Sequence, residues 1–310
     1  MDMNYVFFDI ECANCLHGEG KICSFGFVKT DMNFNIIKKK DILINPDAKF
    51  LLGNVKTGEG IKLAYPLFKF NYAYLFPRYY KEIKCLLEDE ENICIGFAVK
   101  QDVSYITYTC QRYQLPFIKF KYFDVQKFEK ILNSRKDLSG LDSLIYEYNL
   151  KKFTYHRSDD DAYMTMEVFK ALLEQNKLNI QDVIDNYQNC FSDTDTFIKE
   201  RDYKLKLKSQ REIHQNKMKS FFTPLDIKYD INLVDQKYFK KNIFFENQIY
   251  VDDIDFLLKH KEIFYLKGIN VVSKVKDADI IVILNKKPPF AELKENVVFV
   301  KYSKFKEVIK

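Results

Sequence analysis

Two carboxylates separated by one residue, Asp9 and Glu11, lie in the run Tyr5-Val6-Phe7-Phe8-Asp9-Ile10-Glu11. In an extended strand side chains alternate, so Val6, Phe8 and Ile10 share one face while Phe7, Asp9 and Glu11 share the other. A run that is apolar on both faces reads as a central strand covered on both sides. Two like charges on one face of such a strand repel each other and lose hydration, and a pair of divalent cations is what would offset both costs. Taken by themselves, the two acids equally fit a strand end that frays into water. Two more acids and a histidine extend the pattern. Asp102 follows the apolar run Ile93-Cys94-Ile95-Gly96-Phe97-Ala98, and His156 precedes Asp161 by five positions. Each also has a plain structural reading. Asp102 suits the first turn of a helix, Ser158 with Asp161 fits a capping box, and His156 fits a surface loop.

The elements that must position these residues follow from periodicity. Ile22–Val28 and Phe34–Ile44 alternate as strands, with a polar loop at His17–Gly20 before the first, so the chain begins as an antiparallel meander. Phe50–Tyr74 is irregular and rich in aromatics, and no element is assigned there. Arg78–Leu87 has a helical apolar face, Ile93–Ala98 is a buried strand, and the helix opening at Asp102 carries Val103, Ile106 and Cys110 inward. Phe120–Val125 is a further strand, followed by helices over Gln126–Leu132 and Leu141–Leu150. The helix that starts near Asp161 continues through Leu173, with Met166, Phe169 and Leu173 as its apolar stripe. Antiparallel strands first, then strands alternating with helices, predict a mixed α/β sheet with helices on both faces.

Composition narrows the class further. With 310 residues, 47% of them apolar and 30% charged, the chain suits a soluble protein of one large domain and one small one. No run approaches 18 apolar residues, the first residues do not form a signal peptide, and seven cysteines without one suggest reduced thiols. A cytoplasmic protein that does not engage membranes is the expectation. Cys12-Ala13-Asn14-Cys15 is a lone C-x-x-C with no obvious second pair of zinc ligands. Eight basic and three acidic residues between Lys199 and Lys219 account for the whole net charge of +5. That stretch is either a solvated helix face or linker, or a surface that follows a phosphate backbone through Lys204, Lys206, Lys208 and Arg211.

Asp9-Ile10-Glu11, Asp102 and His156-x-x-x-x-Asp161, in this order and on these elements, resemble the three motifs of the DEDDh 3′–5′ exonucleases over roughly residues 4–176. The segment Gly96-Phe97-Ala98-Val99-Lys100-Gln101-Asp102 and the pairs His156-Arg157 and Asp160-Asp161 are similar to the oligoribonuclease branch of that family. Cys12-Ala13 replaces a Thr-rich pair that often follows the first Glu. The resemblance implies a ribonuclease H-like fold and two ions of Mg²⁺ or Mn²⁺. It implies that Asp9 bridges both ions, that Glu11 and Asp161 hold the ion on the nucleophile side, and that Asp102 supports the other. It makes His156 the general base, puts Ile10 and Cys12 against nucleic acid, and makes 3′ ends of single-stranded DNA or RNA the partners. The residue types suit that chemistry. Carboxylates are the ligands hard cations prefer, two such ions about 3.5–4 Å apart can activate water and stabilise a phosphoryl group, and an imidazole can take the proton. No G-x-S-x-G or Walker sequence points elsewhere.

The last part of the chain has its own pattern. Ile243–Phe245, Ile269–Val272, Asp279–Leu284 and Val297–Val300 read as strands, with a helix over Val251–Leu266 and a closing helix from Tyr302. This order, with Gly268-Ile269-Asn270-Val271-Val272 and Phe305 in place of the usual Trp, resembles weakly a BRCT module, which implies docking of a protein or nucleic acid. The Thr-Gly pair expected after its first strand is missing near Phe245-Glu246. The expected organisation is an exonuclease domain at 1–178, a helical basic linker at 179–240 and a BRCT-like α/β domain at 241–310. The competing reading is an inactive binding or scaffold subunit, which the intact set of four acids and a histidine disfavours.

Overall fold

The first strand, β1 (Asn4–Leu16), is longer than its apolar run and pairs on both sides. The computed structural model describes residues 3–16, 18–53, 63–151, 156–285, 289–290 and 293–309. His17 and Tyr155 therefore lie outside the described residues. β2 (Glu19–Thr30) and β3 (Ile36–Leu43) complete the predicted antiparallel meander. Phe34 falls in the turn before β3 at φ 65°, a turn closed by the Asp31 carboxylate, which accepts from the Asn33 and Asn35 amides at 2.9 Å. Then come α1 (Leu67–Asn71), α2 (Phe76–Leu87), β4 (Asn92–Gly96), α3 (Lys100–Arg112), β5 (Lys121–Asp124), α4 (Val125–Leu132), α5 (Leu141–Glu147) and α6 (Ser158–Asn176). α7 (Ile180–Asn186), β6 (Phe191–Asp193) and α8 (Thr194–Phe222) follow.

The strand order is β3-β2-β1-β4-β5-β6, with β4 parallel to β1 and β5, and β6 antiparallel to β5. This is the predicted mixed sheet. On one side Val6, Phe8 and Ile10 pack in a core with Ile83, Val103 and Ile106; on the other, Tyr5 and Phe7 pack with Phe128, Phe169 and Leu172. Each fully buried ring contributes about 1.5–3 kcal/mol of transfer free energy. Burial on both faces is thus why β1 is central.

The chain groups into two units, Met1–Asp202 and Tyr203–Lys310. The sequence places the first boundary at 178 and a linker at 179–240. In the structure residues 180–193 are ordered elements of the first unit: a capping box from Asn179 opens α7, and β6 adds to the sheet edge. Thr194–Ser220 is one continuous helix within α8. Residues 67–71, left unassigned from the sequence, form α1.

The second unit holds β7 (Asn242–Phe245), α9 (Asn247–Lys259), α10 (Lys261–Leu266), β8 (Asn270–Val271), β9 (Ile280–Ile283), β10 (Val298–Lys301) and α11 (Tyr302–Ile309). Its sheet is parallel throughout, in the order β10-β9-β7-β8. The single helix expected over Val251–Leu266 is two, because His260 leaves helical dihedrals at φ −103°, ψ 10°. Phe305 is fully buried, 5.2 Å from Phe245 and 5.6 Å from Tyr238 between ring centroids.

Candidate active site

The Asp9 and Glu11 side chains leave β1 on the face that α6 covers, and Asp9 pairs with Gly26 of β2. Gly26 lies under the first turn of α6, and a Cβ built there would stand 2.1 Å from the Asp159 nitrogen and the Ser158 carbonyl carbon. Only glycine lets the helix backbone come this close to the sheet. Ser158 is fully buried and donates to Ser24 Oγ at 2.7 Å, and Ser24 donates in turn to Asp41. Ser158 is therefore not the cap of a capping box: the N-cap residue is Arg157, with no side-chain cap bond. Three consecutive acids open α6, and their partners separate them. Asp159 ion-pairs with Arg157 Nε at 2.7 Å, and Asp160 pairs with Lys39 Nζ at 2.5 Å. Asp161 joins Asp9 and Glu11 instead, with ligand oxygens of all three within 4.8 Å of one another. Among the described residues this is the one group of metal-type ligands that converges.

Asp102 approaches from the other layer. β4 ends at Gly96, Ala98 turns the chain at φ 52°, and α3 begins at Lys100. Asp102 is 6% exposed in the first turn of α3, and its carboxylate accepts from the Ile10 amide. That bond ties α3 to β1 between the two strand acids. Asp102 stands outside the group of three and acts on it electrostatically. Burial, then the charges of Asp102, Asp161 and Glu11, push Asp9 well above the usual carboxylate range. Burial and Glu11 do the same to Asp102. Asp161 is pushed up to about 7 by burial and by Glu11, with His156 pulling the other way. A site that strains three carboxylates, Asp9, Asp102 and Asp161, against ionisation fits a divalent cation, which supplies the missing positive charge.

His156 sits at φ 57° just before α6, half exposed, with Nδ1 3.2 Å from Glu11 Oε1. The hydrogen bond to Glu11 raises its pKa above the ordinary histidine value. Its carbonyl accepts from the Ala64 amide at 3.2 Å.

Ile10 and Cys12 do not offer side chains to a ligand in the way the resemblance implies. Ile10 points into the core opposite the acids, and only its amide serves the site, through Asp102. Cys12 is half-buried against the same core and beside Cys15, whose thiol it holds down to about 6. The C-x-x-C gathers no further metal ligand among the described residues. Lys204, Lys206, Lys208 and Arg211 are exposed on α8. Lys204, Lys208 and Arg211 share one side, while Lys206 lies about 200° round the helix from Lys204.

A family model described as exonuclease (RNase_T) matches residues 6–169, just over half of the chain. The chain belongs to this exonuclease family. The matched span holds every acid of the cluster and His156, and the mixed sheet with helices on both faces is the ribonuclease H-like fold expected of an RNase_T exonuclease. Several solved structures are similar. A 3′-exonuclease described with its recognition of the histone mRNA stem-loop is 12% identical, with 57% of this chain covering 84% of that one at a TM-score of 0.46. The nuclease domain of 3′hExo, a DEDDh family member bound to rAMP, is 14% identical, with coverages of 56% and 93% and a TM-score of 0.44. E. coli exonuclease I in complex with a dT13 oligonucleotide is 16% identical, with coverages of 56% and 41% and a TM-score of 0.45. No curated protein matches the chain.

Gly26, Ser24 and Asp41 are site residues that sequence reasoning passed over. The signal for Gly26 was present: a glycine between Phe25 and Phe27 in a buried strand marks a close backbone approach.

Proposed function

We propose that this RNase_T exonuclease is a metal-dependent 3′–5′ exonuclease that releases nucleoside 5′-monophosphates from single strands of DNA or RNA. The observation that carries the reading is the convergence within 4.8 Å of Asp9 and Glu11 on a buried strand with Asp161 from α6, and the charge of Asp102 acting on Asp9. Asp9, Glu11 and Asp161 would hold one Mg²⁺ or Mn²⁺, and Asp9 with Asp102 a second. When bound, such ions acidify water and offset the charge of the phosphoryl group. The protein's own part is positional. Glu11 engages Nδ1 of His156 and so favours the tautomer whose Nε2 lone pair can take a proton from the attacking water. The Ile10 amide holds Asp102 against β1, and Gly26 seats the α6 turn that delivers Asp161.

The deciding experiment uses matched single-stranded DNA and RNA labelled at the 5′ end, with Mg²⁺, Mn²⁺ or EDTA. A metal-dependent ladder shortening from the 3′ end, with mononucleotides as product, is expected. Binding of the oligomers without cleavage in either metal would identify a scaffold subunit instead. For the small unit, the BRCT-like reading makes it a docking module, testable by whether its deletion changes partners while leaving oligomer cleavage intact.

A further inference from the structure

α1 and the turn after it expose an unusual set of rings. Phe68, Tyr72 and Tyr74 are 58%, 87% and 67% exposed, within seven residues of one another. Large exposed rings are normally scattered singly, and a cluster of them marks a binding surface. Phe68 and Tyr72, with Tyr79 of α2 and Lys40 of β3, line a groove of about 450 Å³. Basic groups interleave with the rings. Lys69, also on the groove, stands over the Tyr65 ring at 5.2 Å, and Arg78 over Tyr74 at 5.9 Å. Among the described residues neither Lys69 nor Arg78 has a carboxylate within 4 Å, whereas Lys40 is paired with Glu82 at 2.6 Å. Asp41, the one acid among the lining residues, accepts from Ser24.

The groove is also joined to the site. The Ala64 amide donates to the His156 carbonyl at 3.2 Å, and Arg157 stands over the same Tyr65 ring at 5.7 Å. The aromatic segment therefore begins beside His156 and runs outward along α1.

We infer that this groove carries the part of a single-stranded nucleic acid that lies upstream of the 3′ end held at the carboxylates. Phe68 and Tyr72 stack on bases, and Lys69 and Arg78 meet phosphates. Rings and cations in alternation suit a single strand because every base has a π-face and every linkage a charge, so binding is tolerant of sequence. The inference rests on the exonuclease reading for the direction of the strand, and its test separates the two.

Fluorescence anisotropy of labelled 20-nucleotide DNA and RNA in EDTA reads binding without cleavage. Hydrolysis of the p-nitrophenyl ester of thymidine 5′-monophosphate in Mn²⁺ reads the metal site without the groove. Phe68→Ala and Tyr72→Ala should each weaken 20-mer binding by roughly fivefold or more, and Tyr72→Phe should restore it. Ester hydrolysis should stay within about twofold of wild type in all three. Unchanged 20-mer affinity in the Phe68→Ala/Tyr72→Ala double variant overturns the inference, with the exonuclease reading intact if the ester is cleaved. A wild-type dimer in sedimentation that the double variant converts to monomer also overturns it, because a second copy then covers the rings. Ring-dependent 20-mer binding with no ester hydrolysis by wild type supports the single-strand surface while removing the exonuclease reading.

Discussion

His156 Nδ1 lies 3.2 Å from Glu11 Oε1, joining the residue ahead of the N-cap of α6 to the second acid of β1. The contact orients the imidazole and places its other nitrogen as acceptor. It also raises the histidine's pKa, so the metal-free protein holds its candidate base more protonated than a free imidazole. A cation that took up the charge of Glu11 would weaken that effect and lower the pKa of His156.

An NMR titration of His156 should therefore show a pKa above about 6.5 in EDTA and a lower one in saturating Mg²⁺. The metal-free pKa is raised on folding, so its contribution to stability is present below about pH 6.5 and lost as pH rises through the folded value. A pKa that does not respond to Mg²⁺ would mean Glu11 is not a ligand. In kinetics, His156→Ala should lower kcat by about 10²–10⁴-fold with little change in metal affinity.

The carboxylates make metal-free stability fall with rising pH. Asp9, Asp102 and Asp161 all have folded pKa values above their unfolded ones, Asp161 at about 7. Their stabilising contribution is complete below about pH 4 and is lost as pH rises through the folded values, for Asp161 across about pH 4–7. Melting curves in EDTA should show that decline. A divalent cation at a hundred times its Kd should restore about 2.7 kcal/mol at pH 8, several degrees in Tm.

Asp9→Asn should raise the metal-free Tm at pH 8, because one charge leaves a repelling group, and it should remove both the metal-induced shift and cleavage. Turnover within about tenfold of wild type at saturating Mg²⁺ would sink the metal assignment.

Gly26→Ala tests the seat of α6. The added methyl meets helix backbone at 2.1 Å, which cannot rotate away as a side chain can. Overpacking of this kind costs about 1–3 kcal/mol, and the displaced turn should carry Asp161 away from Asp9 and weaken metal affinity. Calorimetry of metal binding beside a denaturant melt would separate the two effects, and wild-type affinity in a destabilised variant would show that the turn does not set the cluster.

Charge on α8 makes a geometric prediction. If a long strand follows that helix, Lys204→Gln, Lys208→Gln and Arg211→Gln should each make the slope of log affinity against log salt shallower by roughly 0.7, while Lys206→Gln, on the opposite side, should not. Equal slopes for wild type and the combined variant would make α8 a solvated helix with no phosphate contacts.

Much of the site was legible in the sequence because its signals are local. Alternation along Tyr5–Glu11 put Asp9 and Glu11 on one face of a doubly covered strand, and the sheet bears this out. The run Ile93–Ala98 before Asp102 likewise marked a strand followed by a helix. What sequence could not decide depends on which backbones approach. By residue type alone Asp159, Asp160 and Asp161 are equivalent, and it is the motif resemblance that singled out Asp161. In the structure they separate because Arg157 and Lys39 take the first two and the helix phase aims the third at β1. Ile10, read as a nucleic-acid contact, is core, because period-two alternation sends its side chain away from its neighbours and leaves only the amide for Asp102. Residues 191–193, within the stretch read as linker, become sheet edge because β6 satisfies its hydrogen bonds on β5, a pairing between positions about seventy residues apart that local propensity does not encode. The cluster itself is a property of the tertiary structure: three acids from β1 and α6 converge because Gly26 admits a helix end to the sheet.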